Sequence, residues 1–445
     1  AAMKAQLKSM GLSLDWARLE PRPGRHDGAA VEHYRQVLAA ARSAGISTWV
    51  CLHHFSLPGW FADDEGGFTD DRARSYYWAR HVDWVAETFG DLVFGWKPVN
   101  EPVAYALLGW LQGSIPPGRR DPAGFAEALE AILLANHDAW RLLRSGDQPT
   151  CTIHSLFPVY PSWPSGDERE RRPAEDNARL VDDVVWRTWI RAQTDGVLSV
   201  PGRPEREVPD MAGAFDLIGF SYYYALAVGA DLSLGPYPAD APTGPLGLAP
   251  WAEGLAVVLQ RLADELPGRP LVVAECGLGT STAADDDDRR CAYLEECLTI
   301  TRQAIADGID VRGFFHWTGV DNYEWNLGYD AAFGLIRRDP TPKAARGDPP
   351  PLGHRRGLTA TPRPNPNLPP PVLVTIRAAV QHHESSERGV SRGRGTGPGR
   401  RRRPCSAAST GAGPRARARP PRKSAPGWPA RRRAGSPGCR GPAGP

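Results

Sequence analysis

The 445-residue chain is 41% hydrophobic, enough for one large domain or two ordinary ones. Its formal net charge of +2 conceals a division, because residues 341–445 hold 22 Lys and Arg against 3 Asp and Glu (+19), whereas residues 1–340 hold 31 against 48 (−17). The sequence contains no run of about 18 apolar residues and no N-terminal apolar signal segment, which argues against a membrane span and leads us to expect a cytoplasmic protein.

The first 340 residues alternate between helix and strand patterns. Residues 3–10 predict the end of a helix with Gly11 as its C-cap, followed by a strand at 12–16. Apolar residues that recur every three or four positions predict six further helices, at 29–43, 72–88, 125–143, 177–193, 251–266 and 289–307. Each of these helices precedes a short apolar run that predicts a strand, at 47–53, 93–100, 150–155, 215–222, 271–275 and 311–317.

This alternation predicts a parallel sheet with helices outside it. Seven strands over about 340 residues favour a (β/α)8 TIM barrel. An open doubly wound sheet is the alternative, although no glycine-rich phosphate loop follows an early strand. Such a barrel begins with a strand, whereas this chain begins with a helix, so we expect an incomplete barrel over residues 1–340 that lacks its first strand. The strands at 12–16 and 311–317 would then have unpaired edges.

Two of the predicted strands end on a glutamate. Asn100-Glu101-Pro102 ends one of them, and Glu275, followed by Cys276 and Gly277, ends another. In a barrel the carboxyl ends of the strands meet on the face that carries the active site. The Glu275 stretch taken alone is more typical of a loop carboxylate that caps the next helix, but two carboxylates on that face are what a glycosidase needs.

These glutamates belong to a longer series of motifs. In chain order the motifs lie at residues 52–58 (LHHFSLP), 100–102 (NEP), 216–223 (DLIGFSYY), 275–277 (ECG), 313–317 (GFFHW) and 321–335. Together they resemble the glycoside hydrolase family 1 β-glycosidases in one collinear order across residues 3–339. The resemblance implies a (β/α)8 barrel that hydrolyses small β-glycosides and needs neither a metal nor a cofactor.

The resemblance also implies roles for individual residues. Glu275 would be the nucleophile of a double displacement, and Glu101 would be the general acid and then the general base. Tyr223 would donate a hydrogen bond to Glu275, and Asn100 would bond the sugar 2-hydroxyl. The remaining sugar contacts would come from His54, Trp317, Glu324 and Trp325.

A carboxylate at Glu324 would repel a phosphate, which points to non-phosphorylated β-glucosides or related glycosides. Two positions depart from the family pattern. Gly11 stands where the family has an arginine that pairs with the nucleophile, and Ser221 stands where the family usually has asparagine. A catalytically silent barrel that binds a sugar or a partner, or a defective gene product of the same family, therefore remains an alternative.

Residues 341–445 are rich in Arg, Pro, Gly and Ala, and they predict a disordered tail. Arginine clusters would suit a nucleic-acid-binding arm, but the tail has a single aromatic residue to stack on bases. A shifted reading frame of a GC-rich gene explains this composition better, and nucleic-acid binding is not expected. The seven cysteines show no metal-binding spacing and are expected to be free thiols.

Overall fold

A computed structural model describes residues 8–164, 167–281, 287–339 and 343, and the backbone of residues 372–377. All of them lie within the compact unit Ala1–His383. The helix expected at residues 3–10 therefore falls mostly outside the described residues. The same holds for the tail at 341–445, apart from Lys343 and residues 372–377.

In the described part of the chain, eight parallel strands form the central sheet. They are β1 (Ser9–Ser13), β2 (Ser47–His53), β3 (Gly95–Val99), β4 (His154–Ser155), β5 (Ile218–Tyr222), β6 (Leu271–Cys276), β7 (Val311–Trp317) and β8 (Val372–Arg377). Their spatial order is β3-β2-β1-β8-β7-β6-β5-β4. Backbone hydrogen bonds from Cys151 N to Trp96 O (2.9 Å) and from Glu101 N to Ile153 O (2.9 Å) join the two ends of this order. This is the strand arrangement of a (β/α)8 barrel.

Helices occupy the connections between the strands. The longer ones are α1 (Gly28–Ser43), α2 (Ala79–Phe89), α3 (Pro122–Leu143), α4 (Glu168–Asp182), α5 (Thr188–Asp195), α6 (Glu253–Glu265) and α7 (Asp287–Ala306). Helix α1 begins where the Asp27 carboxylate accepts from the backbone N–H groups of Ala29 and Ala30. Tyr34 and Leu38, one helical turn apart, are buried on its inner face.

Two predicted helices are interrupted. The segment predicted as helix 72–88 is Asp71–Ala73, then a π-helical stretch at Arg74–Trp78, then α2. The segment predicted as helix 177–193 spans the end of α4, a π-helical stretch at Asp183–Arg187 and α5. Among the described residues, no helix combines the length and the apolar character that crossing a bilayer requires.

The start of the barrel differs from the prediction. Strand β1 begins at Ser9 and contains Gly11, so Gly11 does not cap a helix, and the predicted strand at 12–16 lies three residues too late. Strand β8 lies between β1 and β7, with Met10 opposite Ile376 and Phe315 opposite Thr375. The prediction of unpaired edges was therefore wrong, because a strand from beyond residue 340 pairs with both.

One buried cluster lies inside the ring of strands. Trp49, Cys151, Ile153, Leu217, Val272, Ala274 and Phe315 contact one another, although they come from strands on different sides of the sheet order. Side chains from such distant strands can meet only if they point toward the barrel axis. The Lys97 ammonium also points there and lies 3.9 Å from the centre of the Phe315 ring. The larger cluster packs the helices against the outside of the sheet.

Candidate active site

The turn after β3 places Glu101 at the carboxyl end of the barrel. Pro102 occupies the first turn of the short helix Pro102–Ala106, and Glu101 precedes it with φ of 46° and ψ of 67°. This left-handed conformation is strained for a residue with a side chain, by about 1–3 kcal/mol. Hydrogen bonds hold it, since Glu101 N donates to Ile153 O (2.9 Å) and Tyr105 N donates to Glu101 O (3.0 Å). The Glu101 side chain is buried at this edge.

Glu275 lies on β6 and is the second carboxylate at the same end of the sheet. Its side chain is 3% exposed, and its Oε2 accepts a hydrogen bond of 2.7 Å from the Tyr223 hydroxyl. Tyr223 directly follows β5, whose residue Ser221 pairs with Glu275. Gly277 lets the chain pass close to β7, because a Cβ at this position would lie 2.1 Å from Trp317 O.

The carboxylates of Glu275 and Glu101 act on two consecutive tyrosines after β5. Tyr223 contacts Glu275, while burial and then the negative charge of Glu101 raise the pKa of Tyr224. Tyr224 is held by stacking on Phe157, with ring centroids 4.7 Å apart. Both carboxylates therefore act on residues that directly follow β5, which sequence motifs alone could not show.

Glu324 forms a second polar centre on the loop after β7. Its Oε2 accepts hydrogen bonds from Trp317 Nε1 (3.3 Å) and from Asn322 Nδ2 (3.1 Å). Burial raises the pKa of the Glu324 carboxyl, and the hydrogen bonds from Asn322 and Trp317 oppose that rise. Trp325, the next residue, has a positive φ of 43°, so the chain turns sharply here and both side chains belong to one loop.

His54 lies beside this polar centre. Its Nδ1 is 2.8 Å from the Ser13 hydroxyl on β1, which orients the ring. The His54 ring centroid is 5.7 Å from that of Trp317 and 5.3 Å from that of Trp325. His54, Trp317, Glu324 and Trp325, which lie up to 271 positions apart in the sequence, thus form one connected group.

The remaining predicted residues join this group through a few contacts. Trp317, Phe333 and Tyr223 pack in one small apolar cluster, which connects the His54 group to Glu275. Asn100 N donates to the carbonyl of His53 (2.9 Å), which places Asn100 beside His54. All eight predicted site residues consequently lie at the carboxyl end of the barrel strands.

Sequence reasoning did not assign functions to four residues that the structure places here. They are Ser13, Tyr224, Asn322 and Phe333. Asn322 and Phe333 lie within the motif at 321–335, and Ser13 alternates with the buried Leu12 and Leu14, so a pattern was available for these three. Nothing in the sequence distinguishes Tyr224 from Tyr223. Among the described residues, no three His, Cys, Asp or Glu side chains are grouped to hold a metal ion.

Comparison with known proteins identifies the family of this chain. The model of glycosyl hydrolase family 1 matches residues 1–346. Beta-glucosidase 5 of Oryza sativa subsp. japonica is 26% identical over 374 residues, covering 75% of this chain and 72% of its own length. Thermostable beta-glucosidase B of Thermobispora bispora is 29% identical over 346 residues, covering 71% and 69%.

Solved structures agree in fold. The beta-glycosidase from Pyrococcus horikoshii superimposes with a TM-score of 0.67 at 26% identity, over 76% of this chain and 77% of that one. A family 1 β-glucosidase from Thermotoga maritima has a TM-score of 0.66 at 23% identity, over 75% and 79%. Because the family match covers well over half of the sequence, this chain belongs to glycosyl hydrolase family 1 and is a glycoside hydrolase that acts on the O-glycosyl bonds of β-glycosides.

Proposed function

We propose that the chain hydrolyses non-phosphorylated β-glucosides, or closely related β-glycosides, by double displacement with retention of configuration. The observation that carries this proposal is the 2.7 Å hydrogen bond from Tyr223 to the buried Glu275 carboxylate. A donor aimed at a buried carboxylate favours its charged form, which is the form that attacks a sugar. Glu101, buried at the end of β3 on the same edge of the barrel, would supply the second carboxyl group that the mechanism requires.

In the first step, a carboxylate oxygen of Glu275 attacks the anomeric carbon. The bond to the leaving oxygen breaks as the Glu101 carboxyl donates its proton, and the aglycone departs as an alcohol. In the second step, Glu101 removes a proton from water, and the water oxygen attacks the same carbon. The bond to Glu275 then breaks, and the sugar leaves with its original configuration.

The second polar centre would hold the sugar. Glu324 can accept hydrogen bonds from two neighbouring sugar hydroxyls, and Trp317 and Asn322 already donate to its Oε2. His54 would bond a third hydroxyl, Asn100 would bond the 2-hydroxyl, and Trp325 would border the apolar face of the ring. The Glu324 carboxylate would repel a phosphorylated sugar.

The names of the relatives support this substrate class. They include β-glucosidases, a coniferin beta-glucosidase of Pinus contorta and a beta-galactosidase of Saccharolobus solfataricus. We also place this chain in the cytoplasm, because buried thiols such as Cys276 and Cys297 are typical of a reducing compartment.

Covalent labelling tests the mechanism. Incubation with 2,4-dinitrophenyl 2-deoxy-2-fluoro-β-D-glucoside should attach one fluoroglucosyl group to the peptide that contains Glu275, as read by mass spectrometry. Glu275→Gln should give no label. Glu101→Gln should still be labelled, because this leaving group needs no proton. A label on another carboxylate, or α-glucose as the first product in NMR of β-glucoside hydrolysis, would refute the proposal.

A catalytically silent sugar-binding barrel is the second candidate. It is favoured by Gly11, which occupies β1 at the position where the family resemblance leads one to expect arginine. Hydrolysis of an aryl β-glucoside at the rate of the buffer blank, together with saturable glucose binding, would support this candidate.

A further inference from the structure

The interior of the barrel contains a buried lysine. Lys97 is the third residue of β3 and is 1% exposed. Its ammonium nitrogen lies 3.9 Å from the centre of the Phe315 ring and 5.9 Å from the centre of the Trp49 ring. Aromatic faces attract a cation, but an ammonium group removed from water also needs negative charge nearby to compensate for its lost hydration. The position of Lys97 relative to the carboxylates of the candidate site therefore matters.

Strand pairing places this ammonium group at the height of Glu275. The residues on either side of Phe315 pair with Val273 and Cys276 of β6, so Phe315 is level with Glu275, which lies between these partners. The side chains of a strand stand roughly perpendicular to the sheet. The Lys97 ammonium beside the Phe315 ring therefore lies at about the height at which the Glu275 side chain leaves β6.

Gly11 borders the same part of the interior. It pairs with Trp49, whose side chain belongs to the cluster inside the ring of strands, so a side chain at position 11 would point toward that cluster. The family resemblance leads one to expect an arginine at this position. The Lys97 ammonium, 5.9 Å from the Trp49 ring, thus brings a positive charge to this region from β3, whereas glycine supplies none from β1.

Three buried histidines at this end of the barrel carry no charge near neutral pH. Burial lowers the pKa of His316 to about 4. Burial likewise lowers the pKa values of His53 and His154 to about 3. All three rings are therefore neutral above about pH 5, because a group whose pKa lies below the ambient pH has lost its proton.

Two other cations lie near β7. Arg290 and Lys343 contribute to the lowering of the pKa of His316. Each is paired with an aspartate, Asp287 at 3.1 Å and Asp321 at 2.7 Å, which offsets its charge. The remaining titratable groups near this end of β6 come from β5, α7, β6 itself and the segments that follow the strands; they are Tyr222, Tyr223, Tyr293, Cys276, Glu101, Glu324 and His54. Apart from His54, these groups are neutral or negatively charged.

We propose that Lys97 is a positioning residue that acts through Glu275 by keeping its carboxylate ionised. Lys97 would thereby supply from β3 the interior positive charge that Gly11 does not supply from β1. The inference rests on the proposed function for the role of Glu275 as the nucleophile. Opposite charges attract more strongly in the interior of a protein than in water, and this attraction favours the charged form of a carboxyl group.

The pH dependence of covalent labelling provides the test. The rate at which the 2,4-dinitrophenyl fluoroglucoside labels Glu275 depends on the ionised carboxylate and needs no proton from Glu101. For Lys97→Met, a neutral side chain of similar length, we expect the midpoint of this rate against pH to move upward by about one unit. The loss relative to the parent should therefore grow as the pH falls. Lys97→Gln, which is also uncharged, gives the same comparison if Lys97→Met does not fold.

Two further variants localise the effect. Arg261→Met is the matched control, because Arg261 also lies over an aromatic ring, 4.2 Å from the centre of Trp186, but pairs with Asp182 (2.8 Å) in the layer of helices. It should leave the midpoint unchanged. Gly11→Lys combined with Lys97→Ala moves the interior charge from β3 to β1, and a midpoint that returns toward the parent value would support the proposal.

The outcomes separate this inference from the proposed function. An unchanged midpoint in the Lys97 variants, or a loss of rate that is equal at every pH, would overturn the role of Lys97 alone. No label on Glu275 in the parent would overturn the proposed function. NMR titration of protein with carboxyl-¹³C glutamate, in which Glu275→Gln identifies the signal, would then decide about Lys97. A higher pKa of Glu275 in Lys97→Met than in the parent would support the inference, and an equal pKa would overturn it.

Discussion

The Tyr223 hydroxyl donates a 2.7 Å hydrogen bond to Oε2 of Glu275, a carboxylate that is 3% exposed. A charge removed from water needs such donors to remain ionised, and a hydrogen bond to a charged group contributes about 1.5–3 kcal/mol. The Tyr223 ring packs against Phe333, so the donor is held in place by packing as well as by the bond itself.

Removing this hydroxyl should slow the attack on the sugar. For Tyr223→Phe we expect kcat/KM to fall roughly 10- to 100-fold, the rate equivalent of a lost hydrogen bond to a charged group. Labelling by the fluoroglucoside, which isolates the attack of Glu275, should slow in proportion. Tyr329→Phe, at an exposed tyrosine, should leave both rates unchanged. Parent-like labelling of Tyr223→Phe would contradict the role assigned to the hydroxyl.

Removing the general acid should affect substrates according to their leaving groups. For Glu101→Ala we expect the hydrolysis of methyl β-D-glucoside to fall by about 10²–10⁴, the usual contribution of general acid catalysis. The rate of the first step with 2,4-dinitrophenyl β-D-glucoside should be nearly the same in the variant as in the parent, because dinitrophenolate leaves without a proton. A stopped-flow burst of dinitrophenolate would show this difference. An equal loss with both substrates would exclude Glu101 as the acid.

Glu324 should couple stability to pH. Burial raises the pKa of its carboxyl above the ordinary value of 4.5, so the folded state favours the protonated form. The Glu324 carboxyl therefore makes its full contribution to the stability of the folded protein below pH 4.5. This contribution is lost as the pH rises through the raised pKa, because the folded protein must then hold a buried charge. Glu324→Gln should thus gain thermal stability relative to the parent at pH 7.5 and lose that advantage near pH 4.

Activity should change in the opposite direction. At pH 7, Glu324→Gln should lower kcat/KM for β-glucosides roughly 10- to 100-fold, because charge-assisted hydrogen bonds to sugar hydroxyls become neutral ones. Melting temperatures from pH 4 to 7.5 and steady-state kinetics would measure both effects. A stability difference between variant and parent that does not vary with pH would show that burial of this carboxylate has no energetic effect.

Strand β8 should be needed for a stable barrel. It pairs with β1 and with β7, so a chain that ends at residue 371 would expose two strand edges. We expect that chain to melt more than about 5 °C below one that ends at residue 383, which retains the strand. The 383-residue chain should melt like the full-length chain. Coincident melting curves for the two shortened chains would contradict a structural role for residues 372–377.

Local sequence determined the barrel fold and the end of the barrel at which the candidate site lies. Helix and strand periodicities identified six of the helix–strand pairs, because burying one face of each element imposes a spacing on its apolar residues. Strands that end on Glu101 and Glu275 indicated which end of the barrel carries the chemistry, because parallel strands bring their carboxyl ends together. The motifs around them indicated the family.

Other features were decided only by the tertiary structure. The pairing of residues 372–377 with β1 could not be read from the sequence, because the strand lies within a segment whose composition indicates disorder and β1 lies more than 350 positions earlier. The hydrogen bonds between Tyr223 and Glu275 and between Ser13 and His54 likewise join distant segments. Local propensity describes each segment against its own neighbours, whereas these contacts exist only once the ring of strands has brought the segments together.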